Sequence, residues 1–294
     1  MAAIPQIASI FLIASVALCE AAPDTVLVEV QSVGAFHRAT RLTINPQGWI
    51  YVADAERNLV QRFKAGESES ISVGGYGWTS TTFDNPTGIA TDGLNLYVSD
   101  YGNHRLQRFD SNLNFISSFS TRDTSFAEAR FGYPLGVALS RQGDLFVLDG
   151  DNLRVIKFAG NVRYERSFGD IDDQRSRLRR PEKILVGQDD HVYVLEPDRL
   201  LEFDYFGHYL RTIGQGMFDN ASGFCPFRDG IIIVKQGALH WFNGRGELVR
   251  TILAGDLQLK NGIDAMQDIA VDGERLLILT STRLHIFRLS IDAP

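Results

Sequence analysis

The chain has 294 residues, a hydrophobic fraction of 44% and a formal net charge of −7. The apolar content excludes an intrinsically disordered chain, and the negative charge counts against a general nucleic-acid-binding role, which needs clustered Lys and Arg. With two cysteines, Cys19 and Cys225, the sequence has no disulfide framework and no CxxC zinc motif.

The first predicted element is an apolar leader over residues 1–22. An uncharged apolar run at 7–18 precedes a small-residue stretch, as in a secretory signal peptide, and it is too short to span a bilayer comfortably. We therefore predict a secreted or periplasmic protein whose mature chain, 23–294, is a single domain without a membrane span. Because no basic residue precedes the run, an uncleaved or lipidated N-terminus that tethers the chain to a membrane is the alternative.

A repeat fills the rest of the chain. Each copy has four strand-like pieces separated by Gly, Asn or Asp, such as GIAT, LYVSD, RLQRF and NFISSF within residues 88–119. A unit of this length with four strands predicts an all-β, six-bladed β-propeller of four-stranded antiparallel blades. The closing phenylalanine of the copies recurs 39 to 49 residues apart, at Phe63, Phe109, Phe158, Phe203, Phe242 and Phe287.

Counting outer strands predicts how the ring closes. The outer-strand pattern follows only five of the six copies, and a sixth match lies at the start of the repeat region, in TVLVEVQSVG at 25–34. We expect this N-terminal strand to pair beside 283–287 and so to complete the C-terminal blade. Both ends of the domain would then share one blade, which leaves no unpaired seam.

The segment NPTGIATDGLNLYVSDYGNHRLQRFD (85–110) resembles an NHL repeat, whose consensus contains an Asn-His-Leu run; here that run is Asn103-His104-Arg105-Leu106. The resemblance covers 25–290 and is strongest in the second and third copies. It implies a six-bladed propeller, a fold that serves binding modules and a minority of enzymes. The fold alone therefore does not give the activity.

Loop lengths select one face as the candidate site. Connections from each fourth strand to the next first strand emerge on the same side as the second-to-third turns, and we call this side the loop-rich face. The long connections are 75–87, 120–134, 169–181 and 214–226, whereas the opposite face carries short polar turns. Binding residues concentrate on loops held by a rigid scaffold.

The candidate ligand-binding residues on these loops are aromatic or basic, the types enriched at recognition surfaces. The phenylalanines Phe83, Phe126, Phe131, Phe218 and Phe224 are expected to pack between blades instead. The candidates are Trp78, Arg130, Tyr133, Arg177, Arg179 and Arg180.

A second group of candidates lies where the inner strands meet the central channel. Three of six equivalent positions carry charge, and three carry glycine, the residue expected beside a crowded axis. Arg41 and Asp268 belong to neighbouring blades and are expected to pair, with Lys183 across the ring beside Glu182. These charges either close the pore or hold a polar or anionic ligand group. The six positions are Arg41, Gly88, Gly136, Lys183, Gly223 and Asp268.

The recurring acid and arginine around each second turn are interpreted as structural ion pairs. They are Asp100 with Arg105, Asp149 with Arg154 and Glu196 with Arg199. Cys225 aligns with small or apolar residues of the other inner strands and is interpreted as a buried structural cysteine rather than a nucleophile. No catalytic residue is assigned.

Enzymes of related six-bladed folds place zinc or calcium at the channel, and a divergent metal-dependent lyase or lactonase is the alternative function. A three-histidine zinc site is not supported, since only His37 and His104 reach the loop-rich face. Calcium ligands are conceivable without ordered spacing; they are Asp84, Asn85, Glu182, Asp264 and Asp268.

The leading hypothesis is an exported, monomeric, non-catalytic module without cofactor, which binds a protein, peptide or glycan ligand through the loop-rich face. Nucleic acid is not an expected partner. An intracellular NHL module docking RNA or protein is a third alternative, against which the leader and the acidic charge both count.

Overall fold

The computed structural model describes residues 25–67, 69–160, 162–170, 174–257 and 265–291. Within them the chain forms 24 β-strands arranged as six sheets of four strands. Paired strands are antiparallel, as the alternation of short strands and tight turns predicts. The six-bladed propeller expected from the repeat is confirmed.

The blades follow the chain, except that the first strand, β1 (Thr25–Val33), joins the last blade. Blade 1 contains β2 (Ala39–Ile44), β3 (Trp49–Asp54), β4 (Leu59–Lys64) and β5 (Ser70–Gly74), and blade 2 contains β6 (Pro86–Thr91), β7 (Asn95–Asp100), β8 (Arg105–Asp110) and β9 (Phe115–Phe119). Blade 3 contains β10 (Pro134–Leu139), β11 (Leu145–Asp149), β12 (Arg154–Ala159) and β13 (Arg163–Phe168).

Blade 4 contains β14 (Lys183–Val186), β15 (Val192–Glu196), β16 (Arg199–Phe203) and β17 (Tyr209–Ile213), and blade 5 contains β18 (Ala221–Phe227), β19 (Gly230–Lys235), β20 (Ala238–Phe242) and β21 (Leu248–Leu253). Blade 6 contains β22 (Met266–Asp272), β23 (Arg275–Thr280) and β24 (Leu284–Ile291), with β1 as its outer strand.

The N-terminal strand closes the ring as predicted. β1 runs antiparallel to β24, from Thr25 opposite Ile291 to Val33 opposite Leu284, with a bulge between Glu29 and Gln31. The two ends of the domain therefore lie side by side in one sheet. The leader at 1–22 falls outside the described residues.

The core consists of apolar layers between adjacent blades. Phe109 of blade 2, for example, packs with Tyr51 and Val60 of blade 1 and with Phe83 from the connecting loop. Burying a phenylalanine contributes roughly 1.5–3 kcal/mol, so the periodic closing phenylalanines are a large part of the force that joins the blades. All six are buried: Phe63, Phe109, Phe158, Phe203, Phe242 and Phe287.

The described part of the chain contains two short 3₁₀ turns, Ala127–Ala129 and Ala254–Asp256, and no α-helix. In the same residues, no helix is long and apolar enough to cross a membrane.

Candidate binding face

A carboxylate and an arginine hold the long loop that enters blade 2. The Arg105 Nε lies 2.8 Å from the Asp100 carboxylate, which is fully buried. The guanidinium also donates to the backbone carbonyls of Trp78 and Thr82, at 3.1 and 3.0 Å. Asp100 in turn accepts the N–H of Asp84 at 2.8 Å. The pair therefore stabilises the turn, as predicted, and in addition fixes the path of the loop.

The same arrangement recurs in blades 1 to 4, and we call it the loop clamp. In each of these blades an arginine donates to the carbonyl of the residue just before a buried Phe or Leu of the loop. The acid at the end of the second strand accepts loop N–H groups. The acid, the arginine and the residue whose carbonyl accepts are as follows: in blade 1, Asp54, Arg57 and Ala35; in blade 2, Asp100, Arg105 and Thr82; in blade 3, Asp149, Arg154 and Arg130; and in blade 4, Glu196, Arg199 and Arg177.

Sequence reasoning found three of these acid–arginine pairs but not their hydrogen bonds to the loops, and it missed Asp54 with Arg57. Spacing does not explain the omission, because Arg57 follows Asp54 by three residues, as Arg199 follows Glu196. In blade 1, Arg57 donates to Asp54 only through its backbone N–H, at 3.4 Å. A search for an acid at the end of each second strand would have identified it.

The clamped loops present aromatic side chains to solvent. Trp78 is 73% exposed and meets Tyr76, itself 67% exposed, edge to face with ring centroids 6.2 Å apart. Tyr133 is 38% exposed and packs with tilted rings against Tyr101 and His104, at 4.9 and 4.3 Å between centroids. These rings form rigid contact surfaces at little conformational cost.

The phenylalanines of the loops behave as expected, with one exception. Phe83, Phe131, Phe218 and Phe224 are buried between blades. Phe126 is 49% exposed and packs edge to face on Tyr164. It therefore adds to the exposed aromatic surface rather than to the core.

The predicted arginines of the loops all have exposed side chains. The Arg130 Nε donates to the Thr124 carbonyl of its own loop at 2.8 Å. Arg179 and Arg180 donate their backbone N–H groups to Glu196, so the backbone is fixed while the guanidinium groups face solvent.

The charged residues of the channel mouth pair differently from the expectation. Lys183 forms the ion pair with Asp268, and the Lys183 ammonium also donates to the Phe224 carbonyl at 2.9 Å. Arg41 instead crosses the ring to the Glu182 carbonyl, at 2.7 Å. The predicted Arg41–Asp268 pair was wrong because the backbone N–H of Leu42 fills that position, at 3.0 Å from the Asp268 carboxylate.

Glycine at the axis has a direct steric reason. A Cβ added to Gly88 would lie 2.7 Å from the Cα of Gly136, and one added to Gly223 would lie 2.6 Å from the Asp268 carboxylate. Both contacts are shorter than non-bonded carbon and oxygen atoms tolerate. The charged side chains thus occupy the little space that three glycines leave.

These contacts close the channel toward the loop-rich face. The cavity beside Arg41, Lys183 and Asp268 has a volume of about 20 Å³, too little for a ligand larger than water. A second cavity of about 320 Å³ lies along the axis, with Thr43 and Gln188 in its wall. Since both residues belong to the inner-strand ends and first turns, this cavity opens on the opposite face.

Cys225 is a buried structural cysteine, as predicted. It lines the axial cavity with only 4% of its surface exposed, and burial raises the pKa of its thiol to about 12. The nearby Lys183 ammonium favours the thiolate and Asp268 opposes it, so burial decides. At neutral pH the thiol therefore stays protonated, and the thiolate that a nucleophile requires does not form.

Residues 83–109 and 131–158 match the NHL repeat. They span the first three strands of the second and third blades and not the fourth, and the four other blades share the four-stranded plan and closing phenylalanine. The protein is a six-bladed β-propeller that contains two NHL repeats.

The comparisons with known proteins support the fold of this chain and do not bear on its chemistry. The Drosophila melanogaster protein brain tumor is 27% identical to the NHL propeller over 113 residues, which are 37% of this chain and 11% of the relative. Virginiamycin B lyase from Staphylococcus aureus superposes with a TM-score of 0.59 at 14% identity, covering 86% of this chain and 80% of the lyase. A Bacteroides thetaiotaomicron protein of unknown function reaches 0.65 at 12% identity, covering 92% and 73%.

One group in the described residues of the NHL propeller could offer three metal ligands. Asp189, His191 and Glu202 have ligand atoms within 4.8 Å of one another, on the opposite face. Glu202 is already bonded, however, by His191 at 2.7 Å, by Tyr193 at 3.1 Å and by the Arg211 guanidinium at 2.5 Å. The group acts as an ion-pair network, and Arg211 opposes a metal ion there.

Among the described residues, the acidic calcium candidates form no group of three metal ligands. Asp268 is bonded to Lys183 at the axis, whereas Asp84 lies in the loop that enters blade 2, beside Gly102. Burial raises the pKa of the Glu182 carboxyl, although Arg41 and Arg180 oppose this. Asp264 lies outside the described residues.

Proposed function

We propose that the protein is an exported, non-catalytic binding module whose loop-rich face recognises a protein, peptide or glycan. The observation that carries this proposal is the loop clamp: buried groups fix the backbone of three long loops and leave aromatic and basic side chains exposed. Pre-organisation of this kind lowers the entropic cost of association. Trp and Arg are also the residue types most often found as binding hot spots.

The partner class follows from the same surface. Exposed Trp78, Tyr76 and Tyr133 suit apolar or sugar-ring contacts, and the arginines suit acceptor groups such as carbonyls and carboxylates. The net charge of −7 opposes a polyanionic nucleic acid. Export rests on the leader sequence alone and would be tested by intact-mass measurement on exported protein.

The alternative, a metal-dependent lyase or lactonase at the channel mouth, has less support. The space it requires is filled by Arg41, Lys183 and Asp268. The similarity to lyases is a similarity of fold at low identity, and function does not follow from fold.

The test is selection of ligands from a random peptide display library and a glycan array, followed by mapping. An alanine variant of five loop-rich-face residues should weaken the selected ligands by roughly tenfold or more. A matched variant of the opposite face should not, and both variants should keep the wild-type melting temperature within a few degrees because exposed substitutions cost about 0.5 kcal/mol or less each. The test residues are Trp78, Arg130, Arg177, Arg179 and Arg180; the controls are Phe206, Arg141, Arg228, Arg245 and His208.

Ligands lost only in the control variant would place the binding surface on the opposite face and overturn the proposal. Failure to select any ligand for the wild type would also count against it.

A further inference from the structure

Two arginines line one cavity at the boundary of blades 3 and 4 on the loop-rich face. The cavity has a volume of about 470 Å³, and the described residues in its wall are Leu153, Gln174, Arg177, Leu178 and Arg179. It therefore combines two guanidinium groups and an amide with an apolar side.

The backbone that carries both arginines is held by buried groups. The Arg177 carbonyl accepts from the Arg199 guanidinium at 2.7 Å, and the Arg179 N–H donates to the Glu196 carboxylate. Glu196 and Arg199 are 1% and 3% exposed. Two strong, buried, charge-assisted contacts thus fix the loop on either side of Leu178.

The side chains of this segment alternate in direction. Leu178 is 1% exposed and packs in the core between blades 3 and 4, whereas Arg177 and Arg179 are both exposed. Both arginines line the same cavity. The sequence Arg-Leu-Arg therefore places both guanidinium groups together over the cavity.

Among the described residues, neither guanidinium has an anionic partner. No described carboxylate lies within 4.0 Å of the Arg177 or Arg179 guanidinium, and Arg179 is bonded to Glu196 only through its backbone N–H. This is notable in a chain with seven more acidic than basic residues, 36 against 29. Two like charges that line one cavity repel each other, and a bound anion would relieve that repulsion.

We propose that this cavity binds a carboxylate group of an acidic peptide segment in the partner, an inference that rests on the proposed function. The planar fork of arginine matches a carboxylate with two parallel hydrogen bonds, and Gln174 can donate a third. Leu153 contacts the apolar stem of the carboxylate residue. Arg130 occupies the equivalent clamp position in the preceding blade and extends the basic surface along the segment.

The experiment measures anisotropy of a fluorescein-labelled, C-terminally amidated peptide of alternating leucine and glutamate, at about 0.15 M salt, where long-range effects are screened. Replacing Arg177→Gln and Arg179→Gln together should weaken binding roughly tenfold or more. The matched control, Arg245→Gln with Arg288→Gln, removes two exposed charges elsewhere and should leave binding unchanged.

A peptide with glutamine in place of every glutamate, also amidated, should not bind. The same glutamine peptide with a free terminus tests the source of the group: if it binds, the site accepts a terminal carboxylate as well as a side-chain one. Equal binding of the amidated glutamine peptide, equal loss in both double variants, or tighter binding of a single-stranded oligonucleotide would overturn the inference.

The two proposals fail in different ways. Display-selected ligands that bind the loop-rich face but are unaffected by the Arg177→Gln and Arg179→Gln variant would overturn the carboxylate site alone. Ligands that map to the opposite face would overturn both. Glutamine keeps the Cβ and Cγ methylene groups of each arginine, so the variant should fold, and its melting temperature verifies this.

Discussion

Lys183 and Asp268 show how burial decides which charges a ligand can reach. Their side chains are 10% and 0% exposed, and each satisfies the other at the axis. Arg177 and Arg179, by contrast, face solvent without an anionic partner among the described residues. The first pair therefore serves the structure, and the second is available for binding.

Replacing Asp268→Ala should destabilise the protein by about 3–5 kcal/mol, because it leaves the Lys183 ammonium buried without its carboxylate. The double variant with Lys183→Met should recover part of this loss, since no buried charge remains. Thermal or denaturant unfolding of the four proteins of the cycle measures the coupling. A double variant as unstable as the sum of the single variants would contradict the pairing.

Cys225 should resist alkylation in the native protein. With a thiol pKa of about 12, it stays protonated at neutral pH and gains reactivity only far above it. In a Cys19→Ser background, a thiol reagent at pH 8 should label Cys225 at a measurable rate only after denaturant is added. Rapid native-state labelling would show that the axial cavity admits the reagent.

The Glu202 carboxyl should contribute pH-dependent stability. Burial alone would raise its pKa, but hydrogen bonds from Arg211 and His191 outweigh burial and lower it below the ordinary value of 4.5. A lowered folded-state pKa means that the stabilisation is complete above the ordinary pKa and is lost as the pH falls through the folded value.

Glu202→Gln should therefore cost roughly 2 kcal/mol at pH 7, and its difference from wild type should shrink as the pH falls below about 4. Unfolding curves across pH measure this, with the exposed Glu128→Gln as control. A gap between wild type and Glu202→Gln that stays constant down to pH 2 would contradict the assignment.

The axial pairing could be only partly predicted from the sequence. The alignment of repeats placed Arg41, Lys183 and Asp268 at equivalent positions, which the strand register confirms. Which groups pair depends on distances across the ring and on backbone N–H groups such as that of Leu42. The sequence pattern contains neither these distances nor the positions of the N–H groups.

At the scale of loops and strands, the loop clamp links the regular sheet to the irregular face. Its members differ in burial around the ring: Arg199 is 3% exposed, whereas Arg57 is exposed. The contribution of each clamp to stability should follow this difference, because desolvated partners leave costly unpaired groups when one is removed.

Arg199→Ala should thus destabilise the protein by about 3–5 kcal/mol, and Arg57→Ala by less than about 1 kcal/mol. Denaturant unfolding gives both values. Arg199→Ala should also weaken ligands that contact Arg177, since the carbonyl of Arg177 loses its donor. Equal destabilisation by the two variants would show that burial does not determine how much each clamp contributes to stability.

The loops themselves lay beyond sequence reasoning. The burial of Phe83 and Phe131 could be predicted because they recur with the blades. Exposed Phe126 could not, because its position depends on one irregular loop and on a single partner, Tyr164.

For the whole molecule, closure by β1 means that the ring is tied at both chain ends within blade 6. Thr25 lies opposite Ile291, so a short turn could join the two ends without disturbing the sheet. This geometry allows the role of closure to be tested without removing any strand.

A circular permutant that joins the ends near 25 and 291 and opens the chain at Gly34 and Ala35 should fold to the same structure. Every blade would then be built from consecutive strands, and only packing would hold blade 6 to blade 1. We expect a similar circular dichroism spectrum but faster unfolding in denaturant, since the covalent tie across this interface is lost. An unchanged unfolding rate would show that the ring opens first at an interface other than the one between blades 6 and 1.

The architecture was the most predictable part of the protein. Six copies of one strand pattern, and five outer strands for six blades, were enough to give the fold and its closure, because each unit must bury its apolar face against neighbours. Partner identity is not encoded in that regularity.

The loop clamp touches only main-chain carbonyl and N–H groups of the loops it holds. Every residue has the carbonyl, and every residue except proline has the N–H, so side chains at these surface positions are interchangeable as far as loop shape is concerned. Trp78 and Arg177 can be exchanged without redesigning the frame beneath them. The scaffold is therefore suited to divergence: new ligands can be acquired by altering exposed side chains one at a time while the ring stays unchanged.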